Sequence, residues 1–161
     1  MVVELERKTF ENLGDMELIT ACIEPTIIQI RGQDLSVKAE KIAELHPGQQ
    51  ALCMFRILFP AQGTADGYAS WVSYLLEQPG YWKGILGGLR FFGDTAMIAL
   101  LEETAHIIGS RAATDSLMPT NDEPMLLPPL FEQFQDRFAD SVRMIGTYIR
   151  SNPDEFVEWK A

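Results

Sequence analysis

Apolar residues recur at three- and four-residue spacing through most of the chain, the period of a helix that buries one face. The pattern is densest over residues 66–93. There Tyr68, Trp71, Val72, Leu75 and Leu76 line one predicted helix, and Trp82, Ile85, Leu86, Leu89 and Phe92 line the next, with Pro79-Gly80 dividing them. Asp66 is placed to cap the first helix, and Asp94, following Gly93, to cap a third over 95–109. Gly80, Gly84 and Gly88 stand at intervals of four and form one smooth strip. Each interior glycine costs about 1 kcal/mol of helix propensity, so close packing must offset it. The expectation is a Gly- and aromatic-rich central helix pair with the remaining elements around it.

Towards the N-terminus, residues 1–31 read as helical material broken near Asn12-Leu13-Gly14 and restarted by Asp15 as an N-cap. Met16, Ile19, Ile23 and Ile27 share a face there, and Pro25 is expected to kink or divide the helix because it lacks an N–H. Residues 36–44 read as a short, charged surface helix. Pro47 opens the next helix, which is almost wholly apolar from Gln50 to Phe59 apart from Arg56, a sign of central burial, and Phe59-Pro60 is expected to stop it. Residues 110–129, with Pro119, Pro124, Pro128 and Pro129, read as a long loop. After it, Phe131, Phe134, Phe138, Val142, Ile145 and Ile149 form the clearest apolar stripe in the chain, with Glu132, Asp136 and Asp140 nearly opposite. Ser151-Asn152-Pro153 ends that helix, and a last turn carries Phe156 and Trp159. No alternating, strand-like pattern persists. The fold expected is an all-α, single-domain bundle over 1–161, of roughly seven to nine helices.

Charge narrows the partner class. The chain has 23 acidic and 13 basic residues and a net charge of −10. The acid excess lies in residues 1–46 and 115–161, the middle being nearly balanced. Direct nucleic-acid binding is disfavoured, since phosphate contact needs a basic surface that releases counterions. A solvated, self-avoiding surface explains such acidity, and so does a site for a basic partner. Cys22 and Cys53 sit within apolar helical patterns and form no CxxC, which reads as buried, reduced thiols of a cytoplasmic protein. Lys83, Arg90 and Asp94 interrupt the central apolar run well short of a membrane span.

Candidate chemistry is sparse. Histidine chemistry is confined to His46 and His106. Glu103 and His106 match one Glu-x-x-His unit of a di-iron carboxylate bundle, but such a site needs two units, and His46 has no glutamate three residues before it. An i,i+4 contact between Glu102 and His106 on the helix surface is the simpler reading. Asp136 and Asp140 fall on the predicted solvent side, where Arg137, Arg143 and Arg150 are near enough to pair with them. Tyr68, Trp71, Tyr74, Tyr81 and Trp82 suit a packed core better than a ligand pocket. Gly84-Ile-Leu-Gly87-Gly88 has neither the spacing nor the strand context of a dinucleotide fingerprint.

Five stretches resemble the bacterial DNA-mimic protein domain family: Leu45-His-Pro-Gly-Gln-Gln-Ala-Leu52, the Gly67-Tyr68 helix start followed by Trp71, Leu89 to Gly93, Asp136-Arg137-Phe138, and Tyr148-Ile-Arg-Ser-Asn-Pro-Asp-Glu-Phe156. The likeness covers residues 45–161, and residues 1–44 have no counterpart. Where the family has Asn-Gly-Gly-Phe before its central helix, this chain has Ala65-Asp66-Gly67-Tyr68. The resemblance implies an all-helical acidic fold, a family with no established enzymatic activity, and, for at least one member, carboxylates that imitate DNA phosphates to occupy a DNA-binding protein; no cofactor is expected. The expectation is therefore a non-enzymatic interaction domain. It would present Glu132, Asp136, Asp140, Asp154 and Glu155 to a basic protein, DNA-binding transcription factors among them. The alternatives are a small helical metal- or small-molecule-binding enzyme using Glu103 and His106, and a homodimer or toxin-neutralising protein built on an apolar patch near 117–131.

Overall fold

The computed structural model describes the backbone of residues 2–113 and 123–161 and the side chains of 2–78, 80–109 and 127–161. Within them lie eight α-helices: α1 Arg7–Asn12, α2 Asp15–Ile30, α3 Leu35–Ala43, α4 Pro47–Arg56, α5 Ala65–Leu76, α6 Pro79–Phe91, α7 Thr95–Ala113 and α8 Glu123–Ser151. Short 3-10 turns occupy Phe59–Gln62 and Pro153–Glu155. One hydrophobic cluster runs from Phe10 to Val157, so the all-α, single-domain expectation holds. Residues 1–44 share that core through Phe10, Leu18, Ile19, Cys22 and Ile23.

Two strands of three residues correct the expectation of none. β1 (Val3–Leu5) pairs in parallel with β2 (Val157–Trp159), Val3 lying opposite Val157 and Leu5 opposite Trp159. The Val3 N–H donates to the Phe156 carbonyl at 3.1 Å, and the Lys160 N–H to the Leu5 carbonyl at 3.0 Å. Phe10 meets Trp159 edge-on at 5.2 Å beside this closure, and the Arg7 guanidinium lies over the Trp159 ring, 4.6 Å from its centroid.

Helix α8 is the element that most of the others share. Its buried residues Leu130, Phe134, Phe138, Ile145 and Ile149 face α2, α5 and α7. Aromatic rings connect it to more distant elements. Phe55 of α4 stacks on Phe138 at 5.2 Å and Tyr68 of α5 on Phe134 at 4.7 Å, while Tyr148 meets Phe91 and Phe92 edge-on at 5.3 and 5.4 Å. Each such contact contributes about 0.5–1.5 kcal/mol beyond the area it buries.

The glycine strip works through two of its three members. A methyl group added at Gly88 would stand 2.9 Å from the Ala51 carbonyl oxygen, and one at Gly84 would stand 2.5 Å from the Met54 sulfur; at Gly80 nothing lies within 4 Å. Both contacts are to α4. The expected central pair, α5 and α6, do touch, but α6 packs chiefly on α4, and α5 on the 59–62 turn, α7 and α8.

Helix ends depart from expectation where another residue competes for the cap. Thr64, not Asp66, caps α5: its hydroxyl accepts from the Gly67 N–H at 2.9 Å, leaving Asp66 in the first turn, where its charge still favours the helix dipole. Gly14, not Asp15, is the N-cap of α2, and Glu17 accepts its N–H at 3.2 Å. Pro25 lies inside α2 without dividing it. The proline removes one ladder bond, to the Ala21 carbonyl, while Ile23 and Thr26 on either side of it are buried and hold the helix to the core. Helix α4 ends at Arg56, before the expected stop, and Phe59-Pro60 belong to the following turn. Helix α7 continues past Gly109. Helix α8 starts at Glu123 and contains Pro128 and Pro129, so both ends of the expected 110–129 loop are helical; residues 114–122 lie outside the described residues.

Asp94 does become a cap. Gly93 takes the left-handed conformation (φ 77°) and the Asp94 N–H returns to the Leu89 carbonyl at 2.9 Å, closing α6. The buried Asp94 carboxylate then accepts from the Met97 N–H at 3.2 Å and from the Ser141 hydroxyl, which fixes the start of α7 to α8.

Candidate functional site

Asp94 meets Ser141 at one end of the α7–α8 contact, and Tyr68, bonded to Thr104, stacks on Phe134 further along. The two helices therefore run antiparallel, with Glu102 and Glu103 at about the level of Glu132 and Asp136. All four carboxylates are exposed, and none is paired with a lysine or arginine among the described residues. No lysine or arginine occurs in 95–109 or 127–136, and His106 is the one other basic side chain in these two stretches.

The five acids expected to act together do not stand in one environment. Glu132 and Asp136 are open to solvent. Asp140 is bonded to Arg143 and lies 3.8 Å from Arg137, so its charge is largely compensated. Glu155 is half-buried: it accepts from the Tyr148 hydroxyl at 2.9 Å, lies 3.7 Å from His46 Nδ1, and rests against Gly48. It joins the end of α8 to the start of α4, where His46 Nδ1 also accepts from the Gly48 N–H at 3.3 Å. Asp154 is exposed on the 3-10 turn between α8 and β2. Glu102 and Glu103 were identifiable only as neighbours of a histidine. The absence of any lysine or arginine between Asp94 and Gly109 is the signal that connects them to Glu132 and Asp136.

Glu103 and His106 are both exposed on α7, and among the described residues no group of three or more His, Cys, Asp or Glu side chains converges. The aromatic residues of α5 are packed, not arranged around a cavity. Tyr68 is fully buried; the Thr104 hydroxyl donates to the Leu100 carbonyl at 2.9 Å, so Tyr68 is the donor in its 2.7 Å bond to Thr104. Trp71 donates to the Ile57 carbonyl at 2.7 Å and stacks on the exposed Tyr74. Surface depressions among the described residues include one of about 410 Å³ beside Met16, Thr20 and Glu24 and one of about 310 Å³ between Arg7, Glu11, Arg150 and Trp159. Neither contains a residue expected to act.

Both cysteines are free and buried. Burial pushes the Cys22 thiol up to about 12 and the Cys53 thiol up to about 11, the latter against opposing pulls from Thr26 and Arg56. Thiols held neutral in this way are poor nucleophiles. No helix among the described residues is long and apolar enough to cross a membrane.

Comparison of the chain with protein-family models, curated proteins and solved structures finds no match. The likeness to DNA-mimic domains rests on the five quoted stretches alone.

Proposed function

We propose that this protein is a non-enzymatic interaction domain that engages a basic protein through the anionic α7–α8 surface. The observation that carries this reading is that Glu102, Glu103, Glu132 and Asp136 are exposed and that none of them is paired with a lysine or arginine among the described residues. Four carboxylates held on two packed helices repel one another, and a cationic partner relieves that repulsion and is drawn in at long range. The finer form of the proposal is mimicry of DNA phosphates, with a DNA-binding protein as partner. Its motivation is the family resemblance together with carboxylates at positions 132 and 136, one helical turn or about 6 Å apart along α8.

The test is titration against a panel of basic DNA-binding proteins at rising salt. Binding should weaken steeply as the screening length falls below about 8 Å, duplex DNA should compete, and lysine at positions 102, 103, 132 and 136 together should abolish the complex. Binding that is unchanged by those four reversals removes the surface from consideration. A complex that forms but does not yield to DNA keeps the interaction and removes the mimicry.

A further inference from the structure

Three separate parts of the chain line the depression of about 310 Å³ beside the strand pair: Arg7, Phe10 and Glu11 of α1, Arg150 of α8 with Pro153 of the turn after it, and Trp159 of β2. Arg7, Phe10 and Glu11 are spaced three and four apart and so share one face of α1. Phe10 belongs to the core and Trp159 packs against it, so the apolar part of the wall is formed before anything binds. The volume is that of a small-molecule site at the lower end of the usual range, about 300 Å³.

Two opposite charges on this wall are unanswered. The Arg7 side chain forms no ion pair or hydrogen bond among the described residues, and its guanidinium lies over the Trp159 ring, 4.6 Å from the centroid. Glu11 forms none either, although a helix brings residues at i and i+4 close enough to pair. Arg150 differs, because its charge is met within the chain: it bonds to the Asp15 carboxylate and donates to the Leu13 carbonyl at 2.9 Å. Those bonds use two of its five N–H groups and fix the plane of the guanidinium, so the others are donors held in place.

We infer that this depression binds a small zwitterion with an apolar body, an α-amino acid with a ring-sized apolar side chain. Its carboxylate is held by Arg7 and the spare N–H groups of Arg150, its ammonium by Glu11, and its side chain lies against Phe10, Pro153 and Trp159. Charge-assisted bonds of this kind are about twice as strong as neutral ones. A plain anion would be repelled by Glu11, and a plain amine by Arg7. One small ligand on a partly open wall sets a Kd of about 0.1–1 mM. The site shares no residue with the α7–α8 surface, so either proposal can fail alone.

The probe is L-phenylalanine, titrated to about 10 mM into the full chain. It should raise Tm and shift the indole N–H resonance of Trp159 alone among the three tryptophans. N-acetylphenylalanine lacks the ammonium, phenethylamine the carboxylate and glycine the apolar body; each should bind about tenfold or more weakly than phenylalanine. Arg7→Gln and Glu11→Gln should each weaken phenylalanine binding by about tenfold with unchanged helicity by circular dichroism, since both side chains are exposed. Glu102→Gln on α7 should bind phenylalanine like the parent. An unmoved Trp159 resonance, an analogue that binds as well as phenylalanine, full binding by either α1 variant, or an equal loss in Glu102→Gln would each overturn the inference.

Discussion

Two glycines on one helix face opposite demands. At Gly88 a methyl group would press on the Ala51 carbonyl, backbone that cannot swing aside; at Gly87 nothing lies within 4 Å. Gly88→Ala should therefore destabilise by about 1–3 kcal/mol as α4 is forced away, whereas Gly87→Ala should raise stability by up to about 1 kcal/mol by improving helix propensity. Urea denaturation of the two variants would separate them, and equal effects would contradict the packing described for α6. Burial also sets a pH limit. Cys22, Cys53 and Tyr68 titrate at about 12, about 11 and about 12 in the fold, against ordinary values of 9.0 and 10.0, in each case chiefly because the charged form would be desolvated. Their contribution is complete below about pH 9 and is lost as pH rises through 11 to 12, because the unfolded chain releases these protons first. Thermal melts should show Tm falling above about pH 9, and Cys22→Ala should soften that fall.

Elements are where the sequence was read best and least evenly. The apolar stripe of α8 was legible because all six of its members, Phe131, Phe134, Phe138, Val142, Ile145 and Ile149, lie in or against the core as the 3.6-residue period requires. Periodicity identifies the inward face but not the neighbour that covers it. For that reason the strip at Gly84 and Gly88 was visible while its partner, α4, was not. Caps were misplaced by one or two residues because Thr64, Asp66, Gly14 and Asp15 are all competent caps, and only the path of the preceding chain chooses among them. Strands of three residues are too short to show alternation. The anionic site was half legible: Glu132 and Asp136 follow from periodicity, but Glu102 and Glu103 join them only once α7 is seen to lie antiparallel to α8, and Glu155 is lost to a fold-specific bond with Tyr148. Capping supplies a direct check. Thr64→Ala should cost about 1 kcal/mol and Asp66→Ala only a few tenths, read as the shift in denaturation midpoint.

At the scale of the whole molecule, segments far apart in sequence are brought together by few groups. Arg150 of α8 bonds to Asp15 and donates to the Leu13 carbonyl at 2.9 Å, and Trp159 covers Phe10. Trp159→Ala should lower stability by about 2 kcal/mol, less than a fully buried tryptophan because Trp159 is only half-buried; a fluorescence-independent melt by circular dichroism is the appropriate measurement. The pairing of Val3 with Val157 also bears on biosynthesis. Residues 3–5 emerge from the ribosome early and must wait, unpaired, until residue 159 has been translated, so nascent chains halted short of β2 carry an open strand edge and an uncovered Phe10. Closure of the β1 edge and of the Phe10 side of the core is thereby tied to synthesis of this stretch.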